Sequence, residues 1–370
     1  MLRSLGLVAA AFLVATLAGC SSLSGLVAAK APVAYASTER VFVATARTPA
    51  SLSSVRAERS DKLAYAAFDV GIPPTHEIGR TPQQSSVRPV FNQDFVLSEG
   101  ESYTSPRGFG DAVNSYAASH YGAPTEAFVF VHGFNTSFVD GIYQLAQIGN
   151  DIKSPASMVL FSWPSNDRMT DYLHDVDSVA FARDGLEQLL NELAASGVKR
   201  ITLVGYSMGA ALVVETLRQM KLVGSTGFFS KLSGVVLLSP DMDIDVFRVD
   251  AERMGGLPQP FVIYSAPRDP ALRVLSTYLT AQKPRLGSLP DPSALSGLDL
   301  VYVDVSNVPH YRQEGHLPVA TSPNMIAQIN ALPRADLMAY ARIAAAGGVP
   351  GAAVNRYGRL TYVTLPRPGR

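Results

Sequence analysis

The chain holds one cysteine, Cys20, among 370 residues. No intrachain disulfide can form, so packing alone must hold the fold. Net charge is also absent, since 31 Lys and Arg stand against 31 Asp and Glu. That leaves no electrostatic basis for binding nucleic acid or an acidic partner. The six histidines are scattered, and no His/Cys/Asp/Glu group has metal-ligand spacing; neither metal nor cofactor is expected. No internal repeat is visible. The apolar run near the start, Leu5 to Ala18, is shorter than the roughly 20 residues of a spanning helix. What is present is 47% hydrophobic, which suits one large domain or a domain with an added segment.

The short apolar run fits a secretory signal. Met1-Leu2-Arg3 gives a basic start, and Leu17-Ala18-Gly19-Cys20 closes the run,. Leu-Ala-Gly-Cys resembles the lipobox of bacterial lipoproteins. That resemblance implies cleavage after residue 19 and a lipid on Cys20, which would anchor the protein to a membrane. Ser21 and Ser22 follow, with no aspartate beside the cysteine. By the same resemblance this favours the outer membrane, facing the periplasm. Residues 20–37 read as a tether.

The strongest motif is Ile201-Thr-Leu-Val-Gly-Tyr-Ser-Met-Gly-Ala210. An apolar strand enters Gly205-Tyr206-Ser207-Met208-Gly209 and a helix-forming run leaves it. This is the G-x-S-x-G nucleophile elbow in the strand-to-helix setting it requires. A plain strand-to-helix turn with an N-cap serine is the competing reading.

Around it, strands are expected at 40–46, 64–70 and 90–97, forming an antiparallel edge. From Ala127 the pattern alternates: strands at 127–131, 157–162, 201–206, 232–239, 260–265 and 298–305. Helices are expected at 138–152, 175–196, 208–220, 245–254, 271–281 and 321–332. In the helix at 175–196, Val179, Phe181, Leu186, Leu189, Leu190 and Leu193 recur near helical spacing,. Apolar strands alternating with helices predict a mostly parallel central sheet covered on both faces, an α/β fold. The domain is set at 38–332, with 38–126 as N-terminal strands and loops and 127–332 as catalytic core. Residues 333–370 are left as an unassigned tail.

A serine hydroxyl needs a base, and the base needs an orienting acid. In chain order Ser, acid, His, the acid is Asp269, just past the strand at 260–265, with Asp241 as the alternative. Asp243 and Asp245 read more simply as caps of the next helix. The base is His316, with His310 as the alternative, both after the last core strand. The oxyanion would be held by the amides of Met208 and Phe134, the latter in the loop opened by His132-Gly133. His132 itself reads as a brace for that loop. Trp163 and Tyr206 would lie near the mouth, lining a pocket or serving as ordinary core or rim aromatics.

Val131-His-Gly-Phe-Asn135, Phe161-Ser-Trp-Pro-Ser165, Gly205-Tyr-Ser-Met-Gly209 and Ser239-Pro-Asp241 together resemble a bacterial α/β-hydrolase family of unknown function, esterase- or lipase-like. Val41-Phe-Val-Ala-Thr45 and Gly315-His316 fit the same pattern. The resemblance covers most of residues 38–332. It implies the α/β-hydrolase fold and a Ser207–Asp269–His316 triad, and no particular substrate. The expectation is a cell-envelope serine hydrolase of the carboxylesterase or lipase class, acting on a small-molecule or lipid ester or thioester. The second reading is a lipid-anchored binding or assembly protein that keeps the fold without turnover.

Overall fold

The computed structural model describes residues 35–51, 54–80, 93–98, 100–166, 168–267, 284–308, 317–333 and 335–366. The stretch expected to be a signal, the expected anchor residue Cys20 and the helix expected at 271–281 lie outside them. The described residues form a twelve-stranded sheet. In chain order its strands are β1 (Ser37–Ser51), β2 (Ser54–Ile72), β3 (Val96–Leu97), β4 (Glu101–Tyr103), β5 (Glu126–Val131) and β6 (Ser157–Ser162). They continue with β7 (Arg200–Tyr206), β8 (Leu232–Leu238), β9 (Phe261–Ser265), β10 (Leu300–Asp304), β11 (Ala353–Tyr357) and β12 (Leu360–Thr364).

Eight of these, in the spatial order β12-β10-β9-β8-β7-β5-β6-β1, run parallel. The antiparallel N-terminal edge is present, with β1 as its junction to the parallel strands. β2, β3 and β4 make it, while β1, the strand expected at 40–46, already runs parallel to β6. The segment left unassigned continues the same sheet: β12 lies parallel to β10, and β11 pairs antiparallel with β12.

The strands of the centre are apolar on both faces because both faces are covered. Alternate side chains go to opposite sides. Val129 and Val131 belong to the core on the face covered by α1 (Pro106–Tyr121), α3 (Tyr172–Ala195), α4 (Met208–Val223) and α5 (Ile244–Arg253). Phe128 and Phe130 belong to the core on the opposite face, covered by α2 (Phe138–Ile152), α6 (Pro323–Asn330) and α7 (Leu337–Ala345). α1 was not anticipated, although Ser105 accepts from the Gly108 amide and Pro106 opens the helix, both ordinary start signals. In α3 the apolar stripe holds except at Phe181, which is 39% exposed. Residue 181 lies about 200° from 179 around the helix, so the spacing itself takes it off the stripe. Its ring lies under the Arg59 guanidinium instead, 5.9 Å away.

The chain reverses its direction of growth at β5. β6 is laid on one side of it and β7 on the other. The helix after β5 covers one face, while those after β6 and β7 cover the other. The carboxyl ends of β5 and β7 therefore open a crevice at a topological switch point, where ligands bind in open α/β sheets.

Glu39, at the far end of β1, gives the fold a pH dependence. Its carboxylate would meet a Cβ added to Gly149 of α2 at 3.0 Å. Burial pushes its pKa up from 4.5 to about 7. The folded state then holds this proton more tightly than the unfolded chain. Stability is lost as pH rises from about 4.5 through about 7. Glu39→Gln is expected to match wild type near pH 4 and to be the more stable at pH 8, by up to about 3 kcal/mol. Denaturant melts at the two pH values check this; equal differences at both would contradict it.

Candidate active site

Ser207 sits between β7 and α4 with φ 53° and ψ −121°. This is a left-handed φ that a non-glycine residue adopts only when its surroundings enforce it. The enforcement is visible. The Ser207 amide donates to Leu238 O (2.9 Å), and its carbonyl accepts from the amides of Asp241 (3.1 Å) and Ala210 (3.0 Å). The flanking glycines answer to sterics. A Cβ on Gly205 would stand 2.7 Å from Ala210 Cα, and one on Gly209 would stand 2.2 Å from His132 O. Asn135 (φ 54°) and Ser239 (φ 43°) follow the ends of β5 and β8. Three strained residues thus cluster at the carboxyl edge of neighbouring strands.

The loop after β5 comes right up to the serine, since a Cβ on Gly133 would lie 3.0 Å from Ser207 Cβ. Among the described residues, neither the Phe134 nor the Met208 amide donates to a backbone carbonyl. Both donors are therefore open to another acceptor. His132 is fully buried and donates through Nδ1 to Gly133 O, 2.8 Å away. Burial, and then the charge of Arg47, push its pKa down to about 3. It is neutral at physiological pH and stacks on Trp163, with ring centroids 5.1 Å apart. Trp163 is not at the mouth. It is wholly buried and donates its indole N–H to His132 O at 2.7 Å. Tyr206 is half-buried, its ring stacked with Phe130 at 6.5 Å.

Arg47, 2% exposed, binds both loops beside the crevice. Its Nε donates to Ser162 Oγ (3.0 Å), one terminal nitrogen to Ser165 O (2.9 Å) and the other to Thr136 O (2.8 Å). Ser165 in turn donates to the buried Asp175 carboxylate (2.5 Å). The Phe-Ser-Trp-Pro-Ser motif is thus a bracket for the loop after β5.

Asp241 is buried, and both of its carboxylate oxygens are taken. Arg285 Nε donates to one at 2.6 Å and Tyr172 OH to the other at 2.9 Å. Asp243 caps α5, accepting from the amides of Asp245 and Val246. Asp245 lies in the first turn of that helix. Asp269, His310 and His316 lie outside the described residues. Arg47, Tyr172, Arg285 and Asp175 escaped the sequence reading. The partners of Arg47, Tyr172 and Arg285 are distant in the chain, and those of Asp175 lie across a turn; only the charge at the end of the apolar Val41–Ala46 run hints at one of them.

Fold and crevice define an α/β hydrolase, with a serine held on the elbow after a central parallel strand. The chain belongs to the family described as alpha/beta hydrolase of unknown function (DUF900), whose model matches residues 119–332. No curated protein matches. Among solved structures, the chain is similar to Aspergillus fumigatus lipase B, at 12% identity and a TM-score of 0.29, over 52% of this chain and 48% of that one. It therefore spans about half the length of that lipase. It is also similar to a fungal esterase structure from Rhizomucor miehei, at 12% identity and a TM-score of 0.34, over 84% and 85% of the two chains.

Proposed function

We propose that this α/β hydrolase is a serine hydrolase of the cell envelope that cleaves carboxylic esters or thioesters through an acyl-enzyme. The observation that carries the reading is the backbone of Ser207. It is forced to φ 53° at the switch point of the sheet, beside two backbone amides that have no backbone acceptor among the described residues. In this reading Ser207 Oγ attacks the carbonyl while His316 takes its proton. Asp269 holds the imidazole tautomer and stabilises the imidazolium. The Phe134 and Met208 amides hold the oxyanion. The alcohol or thiol leaves with a proton from His316, and water clears the acyl group by the same route. Cys20 would carry the lipid that keeps the enzyme at the outer membrane. A lipid adduct on the mature N-terminal peptide supports that part, and an unmodified peptide running through residue 20 contradicts it.

Asp269 is preferred to Asp241 as the acid because Asp241 spends both oxygens on Arg285 and Tyr172. A p-nitrophenyl ester series of increasing chain length, with a thioester, tests the assignments. His316→Ala and Asp269→Asn are each expected to lose roughly 10³-fold or more in kcat. His310→Ala should stay within about threefold of wild type, the default for a loop histidine outside the triad. Asp241→Asn should act mainly on stability, because it leaves the largely covered Arg285 guanidinium without its carboxylate,. The opposite ranking of the two histidines would move the base to His310.

A further inference from the structure

We propose that Arg47 is a positioning residue for the oxyanion loop. Its guanidinium, clamped between the segments that leave β5 and β6, holds residues 132–136 so that the Phe134 amide faces the carbonyl attacked by Ser207. The proposal rests on the serine-hydrolase reading and adds to it a residue far from the motif in sequence.

The geometry is specific to arginine. A buried cation is costly unless its donors are filled, and here three nitrogens of one planar group reach three different residues. Two of those acceptors are backbone carbonyls, one on each loop. The β1 ladder shifts register against β2 between Thr45 and Arg47, a device that re-aims a side chain. Thr45 sets the same corner, donating to Ser162 O (2.8 Å) and accepting from the Arg47 amide (3.1 Å).

The loop needs holding at both ends. Its first residue is fixed by the Trp163 indole on His132 O. Its last is fixed by Arg47 on Thr136 O. Between them Asn135 is kept at φ 54°, a conformation that relaxes when its surroundings stop enforcing it. Phe134 is the neighbour of that strained residue. Release of Thr136 frees the Asn135–Thr136 peptide to turn. The shift passes back to the Gly133–Phe134 peptide, which among the described residues is otherwise held only through Gly133 O by His132 Nδ1. An oxyanion donor displaced by about 1 Å forfeits roughly 10²-fold in rate. Lysine keeps the charge but cannot span three acceptors with one ammonium.

The test uses Arg47→Lys and Arg47→Met in the full chain, with two readouts. The first is hydrogen exchange of the amides at 133–136, with 244–253 as an internal reference. The second is kcat and KM on a short p-nitrophenyl ester. We expect both variants to exchange at least about tenfold faster in the loop and not in the reference. We expect kcat to fall roughly 10²-fold with KM within about threefold, the signature of an interaction made mainly in the transition state. If neither variant folds, Ser162→Ala, which removes only the Nε acceptor, is expected to move both readouts the same way by a smaller factor. Unchanged loop exchange overturns the clamp. Faster exchange with unchanged kcat overturns its catalytic consequence. Wild type without Ser207-dependent turnover brings down the hydrolase reading and this proposal with it. Normal wild-type turnover beside an unimpaired, folded Arg47→Lys brings down this proposal alone.

Discussion

Ser207→Ala is expected to lower kcat on p-nitrophenyl esters by about 10⁴-fold or more while the chain stays folded. The size follows from what the hydroxyl does in the proposed cycle. It is the atom that becomes acylated, so its loss removes the covalent route and leaves only the oxyanion donors and substrate binding. The fold should survive because the turn is built by backbone bonds. The Ser207 amide on Leu238 O and the Ser207 carbonyl under Asp241 and Ala210 do not involve the side chain. Circular dichroism and a thermal melt, taken beside the kinetics, separate lost chemistry from lost structure. A variant retaining turnover within about tenfold would take the nucleophile away from Ser207.

Gly209→Ala is expected to give the largest loss of stability among single-methyl additions near the site. The added Cβ would lie 2.2 Å from His132 O and 2.4 Å from Val131 O. Both obstacles are backbone, at the end of a central strand fully buried on both faces. Neither can rotate away as a side chain would. Either α4 lifts from β5 or the loop carrying Phe134 moves outward. Overpacking usually costs 1–3 kcal/mol; with backbone on both sides, about 3 kcal/mol or more is expected here. Whatever folded protein remains should have lost ester turnover, because the same displacement opens the gap between Ser207 and the Phe134 amide. Chemical denaturation of Gly209→Ala against wild type measures the cost. A loss under about 1 kcal/mol would mean that the elbow is looser than these contacts require.

Sequence and structure agree best where local chemistry decides the conformation. The helix at 138–152 and the strand at 157–162 were legible to the residue because each is a clean apolar pattern bounded by turn residues. The elbow was legible because Gly205 and Gly209 answer to sterics that any G-x-S-x-G must meet. α1 passed unread because its buried positions, Phe109, Gly110, Val113 and Ala117, sit among small and polar residues that blur the stripe. β11 and β12 passed unread because a short hairpin of mixed polarity joins this sheet only through β10, about 60 residues earlier in the chain,. The bracket around the site was hidden for a related reason. Arg47 bonds residues 89 to 118 positions away, and Tyr172 reaches Asp241 across 69. The motif places Trp163 at a strand end, which leaves pocket, rim and core all open to it. Its indole instead turns inward, to the one carbonyl that fixes the start of the loop after β5.

The most direct measurement is covalent labelling with a fluorophosphonate at neutral pH, mapped by peptide mass spectrometry. One adduct per chain is expected, on Ser207, with none in Ser207→Ala. Absence of an adduct in wild type, or equal labelling of both proteins, would contradict Ser207 as the nucleophile.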